Sequence, residues 1–183
     1  QLVLIPLVLF AVLAILPRSA EAQRSETARW AAQLTRTYDV QADILYHRGD
    51  GHEARLDLYR PANPDGPVPV LLYIHGGGWV GGSKEGTPMQ LMPYLEKGWA
   101  AVTISYRLAR DARAPAAVED ARCALRWIVE QADERRFDTD RIVVTGHSAG
   151  GHLSLTTGLL SSEAGLDRAC PGDEPLEVAA IVN

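Results

Sequence analysis

Two cysteines, two methionines and two phenylalanines among 183 residues leave little material for several kinds of protein. Cys123 and Cys170 stand far from any histidine pair, so no cluster has metal-ligand spacing and no metal is expected. Positive charge is also scarce. Lysine and arginine total 18 against 23 acidic residues, the formal net charge is −5, and the basic residues are scattered along the chain. A nucleic-acid partner calls for a basic patch that neutralises phosphates, and none is visible. Low-complexity segments, internal repeats and domain linkers are absent too. What remains is 46% apolar and 22% charged, the composition of one globular domain with a buried core. No cofactor is expected. Gly77 to Lys84 superficially resembles a phosphate-binding loop, but it reads Gly82-Ser83-Lys84 where that motif demands Gly-Lys-Ser/Thr.

One long apolar run is present. Leu2 to Leu16 (LVLIPLVLFAVLAIL) is followed by Pro17, Arg18 and the small-x-small triplet Ala20-Glu21-Ala22. This is the pattern of a secretory signal peptide cleaved before Gln23. The run is shorter than the roughly 18–20 residues of a membrane-spanning helix, so no stable span is expected after cleavage; an uncleaved anchor is the alternative. The chain begins with Gln1 and lacks the basic region that opens such signals, so the start of the gene product is expected to precede it. The expected organisation is a signal peptide over 1–22 and a single domain over 23–183, in a secreted or periplasmic protein. In an oxidising compartment Cys123 and Cys170 could form a disulfide; two unpaired thiols are the alternative.

Residues 25–37 could form a short helix, and Val40 to Tyr46 a strand. Glu53 to Tyr59 alternates polar and apolar residues, as a half-buried edge strand does. Because no helix separates these strands, they should pair as an antiparallel hairpin at a sheet edge. After the turn cluster PANPDGP comes Val68 to Ile74 (VPVLLYI), the continuous apolar run of a strand buried on both faces. Then helix and strand alternate. A helix-like stretch runs from Lys84 to Lys97, a strand from Trp99 to Tyr106, and a helix from Pro115 to about Arg135 with Val118, Ala121, Leu125, Ile128 and Ala132 on one face. A short strand over Ile142 to Thr145, a helix over Ala149 to Leu160 and a strand over Val178 to Val182 follow. This order predicts an α/β fold: a mostly parallel sheet with helices on both faces. Because a strand coincides with the last residue, further C-terminal strands are expected beyond Asn183. Their absence would leave this piece with aggregation-prone edges.

Two motifs lie at the C-terminal ends of predicted parallel strands, where α/β sheets bind ligands. In Gly146-His147-Ser148-Ala149-Gly150 the serine sits between strand and helix. Small residues two positions to either side allow a turn tight enough to raise the hydroxyl above the sheet and free the Ala149 N–H for an oxyanion. An ordinary glycine-rich turn is the plainer reading. The second motif, His75-Gly76-Gly77-Gly78-Trp79, follows the most apolar strand. Its glycines let the backbone approach a ligand, and Gly77 and Gly78 are the expected further donors of an oxyanion hole. One such donor typically contributes roughly 3 kcal/mol to the transition state. Trp79 could line an acyl or alcohol pocket, or simply pack on the sheet rim.

Together and in this order, the motifs resemble the α/β-hydrolase superfamily, specifically HGGG-bearing carboxylesterases similar to hormone-sensitive lipase. The match runs from about Val40 to Asn183 and includes Ser105-Tyr106-Arg107-Leu108-Ala109 and Glu119-Asp120-Ala121. The resemblance implies a serine esterase, here an exported one if residues 1–22 are a signal peptide, with Ser148 as nucleophile and Gly77, Gly78 and Ala149 around the oxyanion. Its substrate would be a small-molecule or polysaccharide-linked ester, acetyl or feruloyl groups included. It also implies a structural role for Asp120, tying its helix to nearby loops. The triad order is Ser, Asp/Glu, His, which puts the acid and base beyond Asn183. His47, His52, His75, His147 and His152 are poorly placed for the base, so this piece alone should be nearly inactive. Two alternatives stay open. One is amide hydrolysis on the same fold, arylformamidase- or peptidase-like; the other is a non-catalytic ligand-binding relative. Oligomeric state is not legible.

Overall fold

The innermost apolar run, Val68–Ile74, forms a strand with no residue fully exposed, and the rest of the sheet is arranged around it. In this computed structural model the described residues are 36–183, together with Arg29 and Ala32. The expected signal peptide and most of the expected helix over 25–37 lie outside them. Thr35 to Asn183 is one compact unit.

Among the described residues, six strands form one sheet: β1 (Tyr38–Gly49), β2 (His52–Pro61), β3 (Val68–Ile74), β4 (Ala100–Ile104), β5 (Phe137–Gly146) and β6 (Ala180–Val182). Their order is β1-β2-β4-β3-β5-β6. β1 and β2 pair as an antiparallel hairpin, β2 is antiparallel to β4, and β4, β3, β5 and β6 run parallel. The helices between and after the strands are α1 (Pro88–Leu95), α2 (Ala116–Glu130), α3 (Ala132–Arg135) and α4 (Ala149–Leu159).

Val70, Leu72 and Ile74 of β3 join Val102 and Ile104 of β4 and Ile142 and Val144 of β5 in the core, against Ala121, Leu125 and Ile128 of α2 and Leu153 of α4. Strand alternation turns Leu71 and Tyr73 to the other side. There α1 lies beside β4 and buries Leu91 and Leu95 outside that cluster. Cys123 of α2 and Cys170 are joined in a disulfide.

Several boundaries differ from the sequence reading. Lys84–Gly86 is a separate 3-10 turn, and α1 begins only at Pro88, because proline favours a helix start over its interior. The helix expected to run from Pro115 to Arg135 breaks at Gln131; Pro115 caps α2, and Ala132 belongs to α3. β5 starts at Phe137, five residues before the expected strand, because Phe137 already pairs with Val68. β6 is shorter than Val178–Val182, although the Ala179 N–H already donates to the Ile142 carbonyl at 2.8 Å. Among the described residues no helix is long and apolar enough to cross a membrane.

Candidate active site

Adjacency in the sheet brings the two motifs together. β3 and β5 are hydrogen-bonded neighbours in register, with Ile74 opposite Gly146, so both strands end at one level. The glycine loop leaves β3 there, and the serine turn leaves β5 beside it.

Ser148 occupies φ 57°, ψ −117°, a strained conformation for a residue with a side chain, and it is exposed. What forces it there is the sharp reversal from β5 into α4. The reversal is closed by the Gly150 N–H donating to the His147 carbonyl (2.9 Å) and the His152 N–H donating to the Ser148 carbonyl (3.2 Å). Such a reversal needs a residue without a side chain behind it. A Cβ on Gly150 would stand 2.0 Å from the Ile74 carbonyl oxygen and 2.7 Å from that of His75.

The glycine loop folds back on itself. The Gly77 carbonyl accepts from the N–H groups of Val80 and Gly81, both at 3.1 Å. Gly77 has φ +124°, and a Cβ there would meet the Gly81 carbonyl oxygen at 2.1 Å, so only glycine fits. Gly77 and Gly78 are exposed, while Ala149 is buried at the start of α4. Among the described residues, no backbone oxygen accepts from the N–H of Gly77, Gly78 or Ala149. Three donors with no backbone acceptor thus flank the serine turn.

His75 braces this loop. Its ring stacks on Tyr106 with centroids 4.4 Å apart, and the Tyr106 hydroxyl donates to the His75 carbonyl at 3.1 Å. Nδ1 lies 2.7 Å from the Gly76 carbonyl oxygen; a carbonyl only accepts, so Nδ1 carries the proton. Burial lowers the His75 pKa, partly offset by that hydrogen bond, so the ring stays neutral at pH 7. His47 is buried beside Asp120, its Nε2 at 3.9 Å from Oδ1, and burial lowers its pKa despite that carboxylate. His147 is exposed on the turn, His152 meets Trp79 edge-on at 5.4 Å, and His52 opens β2. Among the described residues, none of the five imidazole rings is hydrogen-bonded to the Ser148 hydroxyl.

Trp79 is 40% exposed at φ +61°. With Gly78, Ala112, Ala117, Val118 and His152 it lines an apolar cavity of about 380 Å³ beside the first turn of α4. Asp120 is fully buried and accepts from the Arg107 backbone N–H (2.7 Å) and Nε (3.0 Å), while the same guanidinium reaches Asp50 at 2.9 Å and Glu119 at 3.0 Å. This network fixes the segment after β4, part of the cavity wall, to α2 and to the hairpin tip. Sequence reasoning missed Lys84, which is buried behind the glycine loop. Its one signal was a lysine two residues after a glycine pair, read as a failed phosphate motif. Among the described residues, no group of three or more His, Cys, Asp or Glu side chains could hold a metal ion.

The BD-FAE family model matches residues 56–183, which take in the glycine loop, the Asp120 network and the serine turn. The chain belongs to the BD-FAE family. Members of the wider α/β-hydrolase group are close in sequence. Esterase LipC of Mycobacterium tuberculosis is 34% identical over 80% of this chain and 36% of its own length, and ethyl acetate hydrolase of Pseudomonas putida is 36% identical over 74% of this chain and 43% of its own. The chain therefore spans less than half the length of these curated relatives. The thermophilic esterase Est2 of Thermogutta terrifontis superimposes with a TM-score of 0.64 at 27% identity, over 79% of this chain and 51% of that one. Est2 has also been solved with propionate bound and phosphorylated by paraoxon. The fold of the family is that of the α/β-hydrolase esterases.

Proposed function

We propose that the full-length protein is an exported serine hydrolase that cleaves carboxylic esters through an acyl-enzyme on Ser148. The observation that carries this reading is the strained, exposed Ser148 beside three N–H groups that no backbone oxygen accepts from among the described residues. The Ser148 oxygen attacks the ester carbonyl and its proton passes to a general base. The carbonyl oxygen becomes an oxyanion that accepts from the N–H groups of Gly77, Gly78 and Ala149. Collapse expels the alcohol, which takes up the proton, and water then releases the acid from Ser148 by the reverse proton traffic. None of the five histidines is assigned as the base; the family order places acid and base later in the chain than Ser148.

The cavity beside Trp79, with its alanine-rich wall, suits the apolar part of a small acyl or aryl ester. Export is inferred from residues 1–22, and the Cys123–Cys170 disulfide suits an oxidising compartment. The names of the relatives, esterases and an ethyl acetate hydrolase, favour esters over amides.

The test is covalent labelling of the full-length protein with a fluorescent organophosphonate, followed by peptide mapping. One label on Ser148, lost together with p-nitrophenyl acetate turnover in Ser148→Ala, is the expected result. Undiminished labelling or turnover in that variant removes the assignment. N-terminal sequencing of the protein from its host should read from Gln23.

A further inference from the structure

Lys84 is a buried cation paired with three carboxylates, and nothing in the chemistry above uses it. It is 4% exposed, and its Nζ lies 2.8 Å from Asp43 Oδ1, 2.9 Å from Asp57 Oδ1 and 2.6 Å from Glu85 Oε1. These carboxylates come from β1, from β2 and from the turn itself. Asp43 reaches the lysine because β1 bulges between Gln41 and Ile44, with Asp43 at φ 57° and its N–H donating to Asp57 Oδ1 at 2.9 Å. The backbone of the turn is held as well. The Lys84 N–H donates to Ser105 Oγ at 3.4 Å, at the end of β4, and the Thr87 hydroxyl donates to the Lys84 carbonyl at 2.7 Å.

A buried ion pair is weak evidence of stability, because desolvation offsets much of the attraction. What this cradle does secure is position. Lys84 ends the return arm of the glycine loop, and that arm backs directly on Gly77 through the Gly81 N–H and carbonyl contacts described above. A shift of the arm therefore moves Gly77.

We propose that Lys84 is a positioning residue for the oxyanion hole: clamped by Asp43, Asp57 and Glu85, it holds the return arm against Gly77 and sets the direction of the Gly77 and Gly78 N–H groups. The proposal rests on the esterase reading for its kinetic consequence and on geometry alone for its structural one. Donors that meet charge only in the transition state act on turnover, not on substrate binding.

The experiment compares full-length Lys84→Met, Lys84→Arg and Asp43→Asn with the wild type. Asp43 is the milder site, since its side chain is 66% exposed. With p-nitrophenyl acetate, kcat should fall about 30- to 100-fold in Lys84→Met and about 3- to 10-fold in Asp43→Asn, with KM within about twofold. Lys84→Arg should recover part of the loss. The Ki of a trifluoromethyl ketone, which forms a tetrahedral adduct on the serine, should rise in parallel with the loss in kcat/KM. Amide hydrogen exchange at Val80 and Gly81, whose N–H groups donate to the Gly77 carbonyl, should quicken about tenfold in Asp43→Asn, whatever the activity. Wild-type kcat and exchange in Asp43→Asn overturn the proposal, as does a KM rise with Ki unchanged. A wild-type protein without Ser148-dependent turnover would defeat the esterase reading, and the exchange measurement would still decide the role of Lys84.

Discussion

Gly150 lies against the carbonyl oxygen of Ile74, with room for a hydrogen and no room for a methyl: an added Cβ would stand 2.0 Å away. The end of β3 and the start of α4 thus lock together directly beneath Ser148. Gly150→Ala must push either the helix or the strand. Overpacking of this kind costs about 1–3 kcal/mol, and a backbone neighbour that cannot rotate away puts the cost at the upper end. Urea unfolding should record that loss, and phosphonate labelling of Ser148 should slow at least about tenfold. Wild-type values in both measurements would mean that the two segments do not abut.

Asp120 holds a buried guanidinium, so its removal should be felt as stability before activity. Asp120→Ala takes away the acceptor of the Arg107 backbone N–H and of Nε. Arg107 then keeps Glu119 and the exposed Asp50. Breaking a buried pair on one side typically costs about 3–5 kcal/mol. Equilibrium unfolding should show a loss in that range, and one below about 1 kcal/mol would contradict the network as described.

The disulfide between Cys123 and Cys170 spans 47 positions of sequence. A crosslink closing a loop of that size typically contributes about 2–4 kcal/mol. The double variant Cys123→Ala, Cys170→Ala should unfold at correspondingly lower denaturant, and a reductant should lower the wild type to the same midpoint. A wild-type midpoint indifferent to reductant would place the two thiols apart.

Asp167 should make the protein acid-sensitive. Burial raises its pKa, but hydrogen bonds from Arg122 and Ser162 and the Arg122 charge outweigh burial and hold the carboxyl below its ordinary value. A carboxyl depressed in the folded state adds stability above its unfolded pKa of about 4 and loses it as pH falls through the lower folded value. The thermal midpoint of the wild type should exceed that of Asp167→Asn by a constant margin from pH 7 to about 5. That margin should shrink below about pH 4. A margin independent of pH would show that the carboxyl is not depressed.

Much of this was legible in the residues, and for definite reasons. The β1–β2 hairpin follows from two strands with no helix between them. The serine turn follows from glycines at 146 and 150, whose lack of a side chain is a local requirement visible in any sequence. What escaped depends on contacts far along the chain. Arg122 and Arg126 sit on α2 where amphipathicity predicts solvent, yet both are buried. The segment after α4 folds over that face, bringing Asp167 to Arg122 and the Glu174 carbonyl to Arg126. Lys84 escaped for the same reason: two of its three partners are some 27 and 41 positions upstream, and the farther one, Asp43, meets it because β1 bulges. A charge reads as exposed until its counter-charge is located.

The register pairing of Ile74 with Gly146 separates two kinds of change that evolution or design can make. The glycine loop and the Ser148 turn hang from neighbouring strands tied by main-chain hydrogen bonds, which do not depend on side-chain identity. The wall of the cavity beside Trp79 comes in part from the segment after β4, which the sheet does not constrain. On the proposed esterase reading, residues of that segment such as Ala109 and Ala112 can therefore be exchanged to reshape substrate choice while Ser148 and the glycine loop stay in register. The scaffold supplies a fixed chemical head with an editable grip, and libraries aimed at new substrates should start in that grip.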